Sequence, residues 1–384
     1  MNPRTRRIAD LLRECLTSGV AAPFLCCLSL SALAFAASCL TLHLTFFKFP
    51  PFQSLFSASH HLLYLPKPSN TTTPHHAPPP SNLWHEMSDE ELLRKATTTT
   101  ASCGGTAEER KKVAFMFLTR GRMPLAPLWQ RFFHGHDSRL FSVYVHAPPE
   151  FTEEPPRGSV FFQRRIPSKP VQWGESSMVD AERRLLANAL LDPSNCRFVL
   201  LSDSCIPLFN FSAAYGYLAG SHLSFVSSFD DPGSAGRGRY NRRMRPTVSL
   251  AEWRKGSQWF AVHRELAVGI VSDRRYYPVF REHCRPPCYA DEHYIPTLVS
   301  KLFPARNANR SVTWVDWSGG GPHPAVYRRR DVSEGLLRRM RDGSTMSRCS
   351  YNERPTSICF LFARKFDASA LEPLMLMAPA LLGF

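Results

Sequence analysis

The chain is 384 residues long, with 47 Lys and Arg against 32 Asp and Glu, a net charge of +15, and 43% hydrophobic residues. Once an N-terminal apolar segment and its basic tail are set aside, the remaining body is long enough for one large domain or two smaller ones. The excess charge is partly clustered, at Arg237 to Arg245, Arg328 to Arg330 and Arg338 to Arg341.

The N-terminus reads as a membrane address. No Asp, Glu, Lys or Arg occurs between Cys15 and Phe47, and Arg4, Arg6, Arg7 and Arg13 precede that stretch. A helix spans a bilayer with ~20 apolar residues, and Lys/Arg-rich flanks stay cytoplasmic. The run from Val20 to Thr41 is long enough. The expectation is a cytosolic tail over 1–19 and a single transmembrane signal anchor over 20–47. The competing reading is a cleaved signal peptide, whose apolar region is ~7–15 residues. Ala34, Ala36 and Ala37 could mimic its cleavage site, but the apolar stretch continues through Leu40, Leu42, Leu44, Phe46 and Phe47. Either way the body lies in a lumen or outside the cell. A basic body there points to the phosphates of a sugar nucleotide or to an anionic glycan rather than to nucleic acid. Sequons at Asn70, Asn210 and Asn309 agree with this placement as candidate glycosylation sites.

Residues 48–110 read as a stem. Pro66–Asn82 is rich in Pro, Ser, Thr and His and has no apolar period, so it cannot offset chain entropy by burial. A short helical patch follows at Ser88–Lys95, with Ser88 as N-cap and Glu91 closing a capping box. The body, 111–384, opens with the continuous apolar run Val113–Leu118, as expected of a buried parallel strand, which ends in the polar turn Thr119–Arg122. A helix near Leu125–His134, a strand at Leu140–Val145 ending at His146, and a possible strand at Val160–Gln163 come next. Glu175–Leu191 has helical spacing, with Met178, Val179, Leu185, Leu186, Ala189 and Leu190 on one side. Phe198–Leu201 is a strand running into Ser202-Asp203-Ser204. Alternating strands and helices predict an α/β fold with a mostly parallel sheet, whose ligands bind at the C-terminal strand ends. Thr119, His146 and Asp203 should therefore meet in one cleft.

Asp203 stands where a metal-binding Asp-x-Asp would be expected, but Ser-Asp-Ser offers one carboxylate, a poor divalent-ion site. No metal is expected. The pair Asp230-Asp231 precedes Pro-Gly and reads as a turn. Without a metal, fixed cations must hold a leaving diphosphate, and Arg364 with Lys365 is the candidate pair. Taken alone, these two also fit the exposed end of a strand. Asp291 and Glu292 precede a helix-like stretch, Tyr294–Leu302. A carboxylate there either opens the helix or serves as a general base, and both roles are compatible. Thr313–Pro324 joins two tryptophans to a glycine run, suited to stacking a sugar ring or to a buried turn. The basic segment Gly236–Pro246 reads as a mobile loop at a cleft.

The eleven cysteines divide by compartment. Cys15, Cys26, Cys27 and Cys39 lie in or beside the anchor. Cys103, Cys196, Cys205, Cys284, Cys288, Cys349 and Cys359 remain, an odd set in an oxidising lumen, so at least one is free or pairs between chains. Cys284 and Cys288 form a local disulfide or are two unrelated thiols, with no second half-site for zinc.

In order along the chain, Val171-Gln-Trp-Gly-Glu-Ser-Ser177, Leu201–Leu208, Gly256-Ser-Gln-Trp-Phe260, Asp291-Glu-His293, Gly321-Pro-His-Pro324 and Leu361–Phe366 form a set of landmarks. The chain resembles, from Lys112 to Ala368, the plant branch of the core-2/I-branching glycosyltransferases, glycosyltransferase family 14. The resemblance implies a GT-A-like fold, a single-pass type II protein of the Golgi membrane, and metal-independent inverting transfer from a UDP-sugar. It implies a β-linked branch on a glycan or glycoprotein acceptor. It places Glu292 at the catalytic base and Lys365 at a diphosphate-binding lysine; Arg364 beside that lysine, and Asp203, Thr119 and His146 at the strand ends, are the further expected donor-side residues. The family's second cation falls near Arg354, in a different spacing. Trp317, Arg239, Tyr240 and Arg243 fall near acceptor-binding segments, and Cys349 with Cys359 resembles a short-loop disulfide. GlcNAc is the implied donor sugar, with glucuronic acid, galactose and xylose as alternatives. A catalytically silent glycan-binding protein is the reading from another class. A lumenal hydrolase lacks a Gly-x-Ser-x-Gly elbow, whereas a paired-carboxylate glycosidase has no such signature to miss.

Overall fold

The computed structural model describes residues 83–99, 103, 111–342 and 349–384. The expected anchor, its cytosolic tail, Pro66–Asn82 and Asn70 lie outside the described residues. Among the described residues no helix is long and apolar enough to cross a membrane.

Helix α1 (Asp89–Thr98) is capped as the sequence indicates. The Ser88 hydroxyl accepts from the Glu91 amide at 3.2 Å, and the Glu91 carboxylate accepts from the Ser88 amide at 3.1 Å. The helix does not belong to a spacer, however. Leu92 and Ala96 are buried in a core, and Asp89 takes hydrogen bonds from Arg184 at 2.8 Å and Lys169 at 2.6 Å. A Cys103–Cys196 disulfide ties the following stretch to the same body. The folded unit therefore includes residues the composition assigned to the stem, because one short helix buries apolar side chains and pairs its charge with the body.

Strand β1 (Lys112–Leu118) is buried from Val113 to Phe117 because its side chains alternate into two cores. Val113, Phe115 and Phe117 face one, and Ala114 and Met116 face the other. Helix α2 (Ala126–Phe133) covers the first core with Trp129, Phe132 and Phe133, whose rings pack on Phe115 at centroid distances of 5.0–6.5 Å. Strand β2 (Phe141–His146) pairs parallel with β1. Val160–Gln163 is not a strand: it runs in turns, and only Arg165 bridges to Val145. Phe161 turns inward onto Phe117, and the Val160 amide donates to the Gln130 side chain rather than to a ladder.

Helix α3 (Ser176–Leu190) is buried on more than its apolar side, taking Glu182, Arg183, Arg184 and Asn188 inside as well. Arg183 is accommodated by bonds to the Val271 and Asp273 carbonyls and by stacking 4.3 Å from the Tyr277 ring. Strand β3 (Asn195–Ser202) is longer than its apolar run, since Arg197 is buried against the Leu223 and Ser221 carbonyls. Strand β4 (Ile206–Pro207) and helix α4 (Phe211–Gly220) follow, then β5 (Ala261–His263), α5 (Arg264–Ser272), α6 (Tyr277–His283) and α7 (Tyr294–Leu302). The central sheet has the order β2-β1-β3-β5, parallel except for β5. Beyond it lie β6 (Thr313–Val315), α8 (Glu334–Asp342), the hairpin β7 (Cys349–Tyr351) and β8 (Arg354–Thr356), β9 (Phe362–Arg364) and α9 (Leu371–Met377). A second sheet, ordered β4-β9-β6, runs β9 parallel to β6. The architecture is mixed α/β around a mostly parallel central sheet, as expected of a GT-A-like domain.

Among the described residues, three disulfides join Cys103 to Cys196, Cys284 to Cys288 and Cys349 to Cys359. The odd cysteine is Cys205, buried as a free thiol.

Candidate functional site

Register brings the strand ends level. Leu118 pairs with His146 of β2 and with Ser202 of β3, so Thr119, His146 and Asp203 sit at one edge of the sheet. The Thr119 amide and hydroxyl both donate to the His146 carbonyl, at 2.9 and 3.2 Å. The second sheet delivers its ends to the same place: β9 leads into Lys365, and β6 leads into Trp317. All of these residues line one cleft of about 1220 Å³, above the ~300–1,000 Å³ usual for a small-molecule site. A smaller cavity of about 220 Å³ lies at the other end of β3, where Arg197 and Arg264 already donate to backbone carbonyls.

Glu292 ends a single 3₁₀ turn, Ala290–Glu292. Its Oε2 accepts from Arg239 Nη1 and from Lys255 Nζ, both at 2.6 Å. Burial alone would raise its pKa, but Lys255 and then Arg239 outweigh that and hold it below the ordinary glutamate value. The carboxylate is thus ionised, oriented and half-enclosed. Gly256, next to Lys255, donates its amide to the Glu292 carbonyl at 2.9 Å. A Cβ at Gly256 would lie 1.8 Å from the Ser227 carbonyl oxygen, so only glycine permits this approach.

Behind Glu292 are two more acids. Asp291 is pushed up to about 6, by burial first and by the Glu292 charge second, and its Oδ1 has no hydrogen-bond partner. Glu182, fully buried, is raised well above its usual value by burial and then by Asp291, while its Oε1 accepts from Gln258 at 2.9 Å. His293 is pushed down to about 4, chiefly by burial, and is therefore neutral, with Nδ1 2.9 Å from the Arg254 carbonyl.

The cations of β9 differ from those around Glu292. Arg364 is half-buried with its guanidinium 4.0 Å from the Trp259 ring centroid, and its buried Nε has no hydrogen-bond partner. Burial lowers the pKa of both Arg364 and Lys365, and in Lys365 the Arg364 charge adds to the effect. Asp203 accepts from Arg120 Nε at 3.2 Å. His146, pushed down to about 3 mainly by burial, presents a neutral ring whose Nε2 is unpartnered. Among the described residues no group of three or more His, Cys, Asp or Glu is gathered so as to hold a metal ion.

The cleft therefore unites Glu292, Arg239, Asp203, Thr119, His146, Arg364, Lys365 and Trp317. Tyr240 and Arg243 do not line it. The Tyr240 hydroxyl donates to the Val248 carbonyl and its ring packs on Trp253, while Arg243 is exposed to solvent beside the Asn241 cap. The basic segment is not a free loop: it folds as two 3₁₀ turns with Met244 buried between neighbours. Arg354 lies in the β7–β8 hairpin, outside the cleft lining. Asp230 pairs with Arg237 in a turn. Asn210 caps α4 through its Oδ1, and Asn309 uses its Oδ1 to accept from the Ser228 amide at 2.8 Å. Sequence reasoning missed Lys255, Gln258 and Trp173. The first two sit in or beside Gly256–Phe260, and Trp173 sits in Val171–Ser177, segments already notable for their order.

An ionised, fixed carboxylate can take a proton from a bound hydroxyl, and half-buried cations in the same cleft can hold an anion. Comparisons with known proteins agree. The family model described as Branch, Core-2/I-Branching enzyme, matches residues 113–341. Glycosyltransferase BC10 of Oryza sativa subsp. japonica is 38% identical over 301 residues, covering 67% of this chain and 74% of that protein. The chain belongs to the core-2/I-branching family and is a glycosyltransferase, which implies a nucleotide-sugar donor and a glycan acceptor.

Proposed function

We propose that the protein is a type II membrane glycosyltransferase of the Golgi, which transfers GlcNAc or another sugar such as glucuronic acid from a UDP-sugar, with inversion, to a glycan or glycoprotein acceptor. The observation that carries this reading is the single cleft holding both an ionised Glu292 and the half-buried pair Arg364 and Lys365. Glu292 takes the proton of an acceptor hydroxyl. The hydroxyl oxygen forms its bond to the anomeric carbon in line as the bond to the UDP oxygen breaks. Lys365 and Arg364 hold the charge left on the diphosphate, in the role a metal has in other transferases. Asp203 at that edge is already paired with Arg120, which makes it a poor ligand for a divalent ion.

The experiment is UDP release by the full chain across a panel of UDP-sugars, with and without a mixed glycan pool and with EDTA. Acceptor-dependent release from one donor, unchanged by EDTA, is expected. Loss with EDTA that manganese restores would overturn the metal-free form. UDP binding without release from any donor would favour a glycan-binding protein.

A further inference from the structure

Large apolar side chains that remain exposed are informative only when they gather. Of the seven among the described residues, four line the cleft: Trp173, Trp317, Phe229 and Val326, each 40–54% exposed. Trp173 is the most exposed of these four, and it is built into a cluster. Its ring centroid lies 5.0 Å from Tyr289 and 5.2 Å from His323. Gly174 follows with φ +83, and a Cβ there would stand 3.0 Å from the Tyr289 ring. The chain therefore turns at a glycine so that Trp173 can ride over Tyr289 with its outer face in solvent.

The cluster is joined to the base rather than to the β9 cations. Tyr289 stacks against the Arg239 guanidinium at 4.5 Å, and Arg239 donates to Glu292. Phe229 has a parallel connection: its backbone exchanges two 2.8 Å hydrogen bonds with Lys255, the other cation on Glu292. Trp173 thus reaches one cation that orients the base through a single intervening residue, and Phe229 is bonded directly to the other. A base faces the hydroxyl it deprotonates, so this rim belongs to the acceptor side.

Resting on the transferase reading, we propose that Trp173, with Tyr289 and His323, is a stacking subsite for a sugar ring of the acceptor chain beyond the unit that is glycosylated. The acceptor is then an oligosaccharide or polysaccharide segment rather than a single sugar. The apolar face of a pyranose suits an exposed indole, and the size of the cleft accommodates more than one sugar beside a nucleotide.

The test uses the full chain in detergent, without nucleotide, titrated by calorimetry against β-linked gluco-, galacto- and xylo-oligosaccharides from monosaccharide to hexasaccharide. The wild type should bind one series with affinity that rises about tenfold with length, equivalent to about 1.4 kcal/mol. Trp173→Ala should abolish that rise, and Trp173→Phe should keep most of it. UDP affinity should be unchanged in both, which separates this subsite from the donor site and from misfolding. No length dependence in any series for the wild type, or a rise that survives Trp173→Ala, would overturn the proposal. Failure of the transferase reading appears instead as absent UDP release, which this titration does not depend on.

Discussion

Glu292 and Lys365 line the same cleft, yet their surroundings are opposite in kind. Glu292 has its charge answered from within the protein, by two cations at 2.6 Å. Lys365 and Arg364 have no salt bridge among the described residues, and burial lowers the pKa of each. The neutralised group is fixed in position and ionisation before anything binds. The unneutralised pair is left with charge to give to an anion. A base needs orientation, whereas an anion site needs reserve, and the two requirements call for opposite local bookkeeping of charge.

The strongest way to break this comparison is Glu292→Gln. Acceptor-dependent UDP release should fall on the order of a thousandfold, with UDP affinity retained; an equal loss of UDP affinity would show that the two regions are not separate. Next in size, Lys365→Ala should weaken UDP binding by roughly 10- to 100-fold in calorimetry, the value of a charge-assisted hydrogen bond. Unchanged affinity would remove Lys365 from the anion site.

A stability measurement sharpens the contrast further. Asp291 has a folded pKa of about 6 against an ordinary value of 3.8. The folded protein therefore binds this proton more tightly than the unfolded chain, and stability falls as pH rises from near 3.8 through 6. Asp291→Asn should stabilise the protein at pH 7 by on the order of 2–3 kcal/mol, a gain that disappears below the ordinary aspartate range. Thermal midpoints at neutral and acidic pH check both halves of that statement. The smallest effect concerns Lys255→Ala. Lys255 favours the ionised form of Glu292, so its loss should move the acid limb of the kcat/KM profile upward by about one pH unit or less. A limb that moves down, or not at all, would leave Arg239 as the cation that sets the base.

The strand ends were legible in the sequence because their strands are buried on both faces. Val113–Phe117 and Phe198–Leu201 have no polar face to disguise the run, so the residues just after them could be assigned to a cleft. The partners of Glu292 were not legible in the same way. Arg239 and Lys255 are 53 and 37 residues away from it, and nothing local marks either as the cation of a distant carboxylate. Arg239 was singled out alongside Tyr240 and Arg243, yet a 3₁₀ turn sends only the first into the cleft lining. Val160–Gln163 misled for a related reason. Its apolar residues serve one inward aromatic, Phe161, rather than a ladder, and side-chain capture of a backbone amide leaves no sequence trace.

Helix α1 has a practical meaning for what counts as a unit of this protein. The family match runs from 113 to 341, but the physical body begins earlier, with Leu92 and Ala96 buried, and continues past β9 to Leu382. A fragment cut to the family-model match would lose Cys103, leaving Cys196 without its partner, and would strip Asp89 from Arg184. It would also lack Lys365 altogether. The span matched by the family model and the span that folds together differ in length, and only the longer one holds both Glu292 and Lys365.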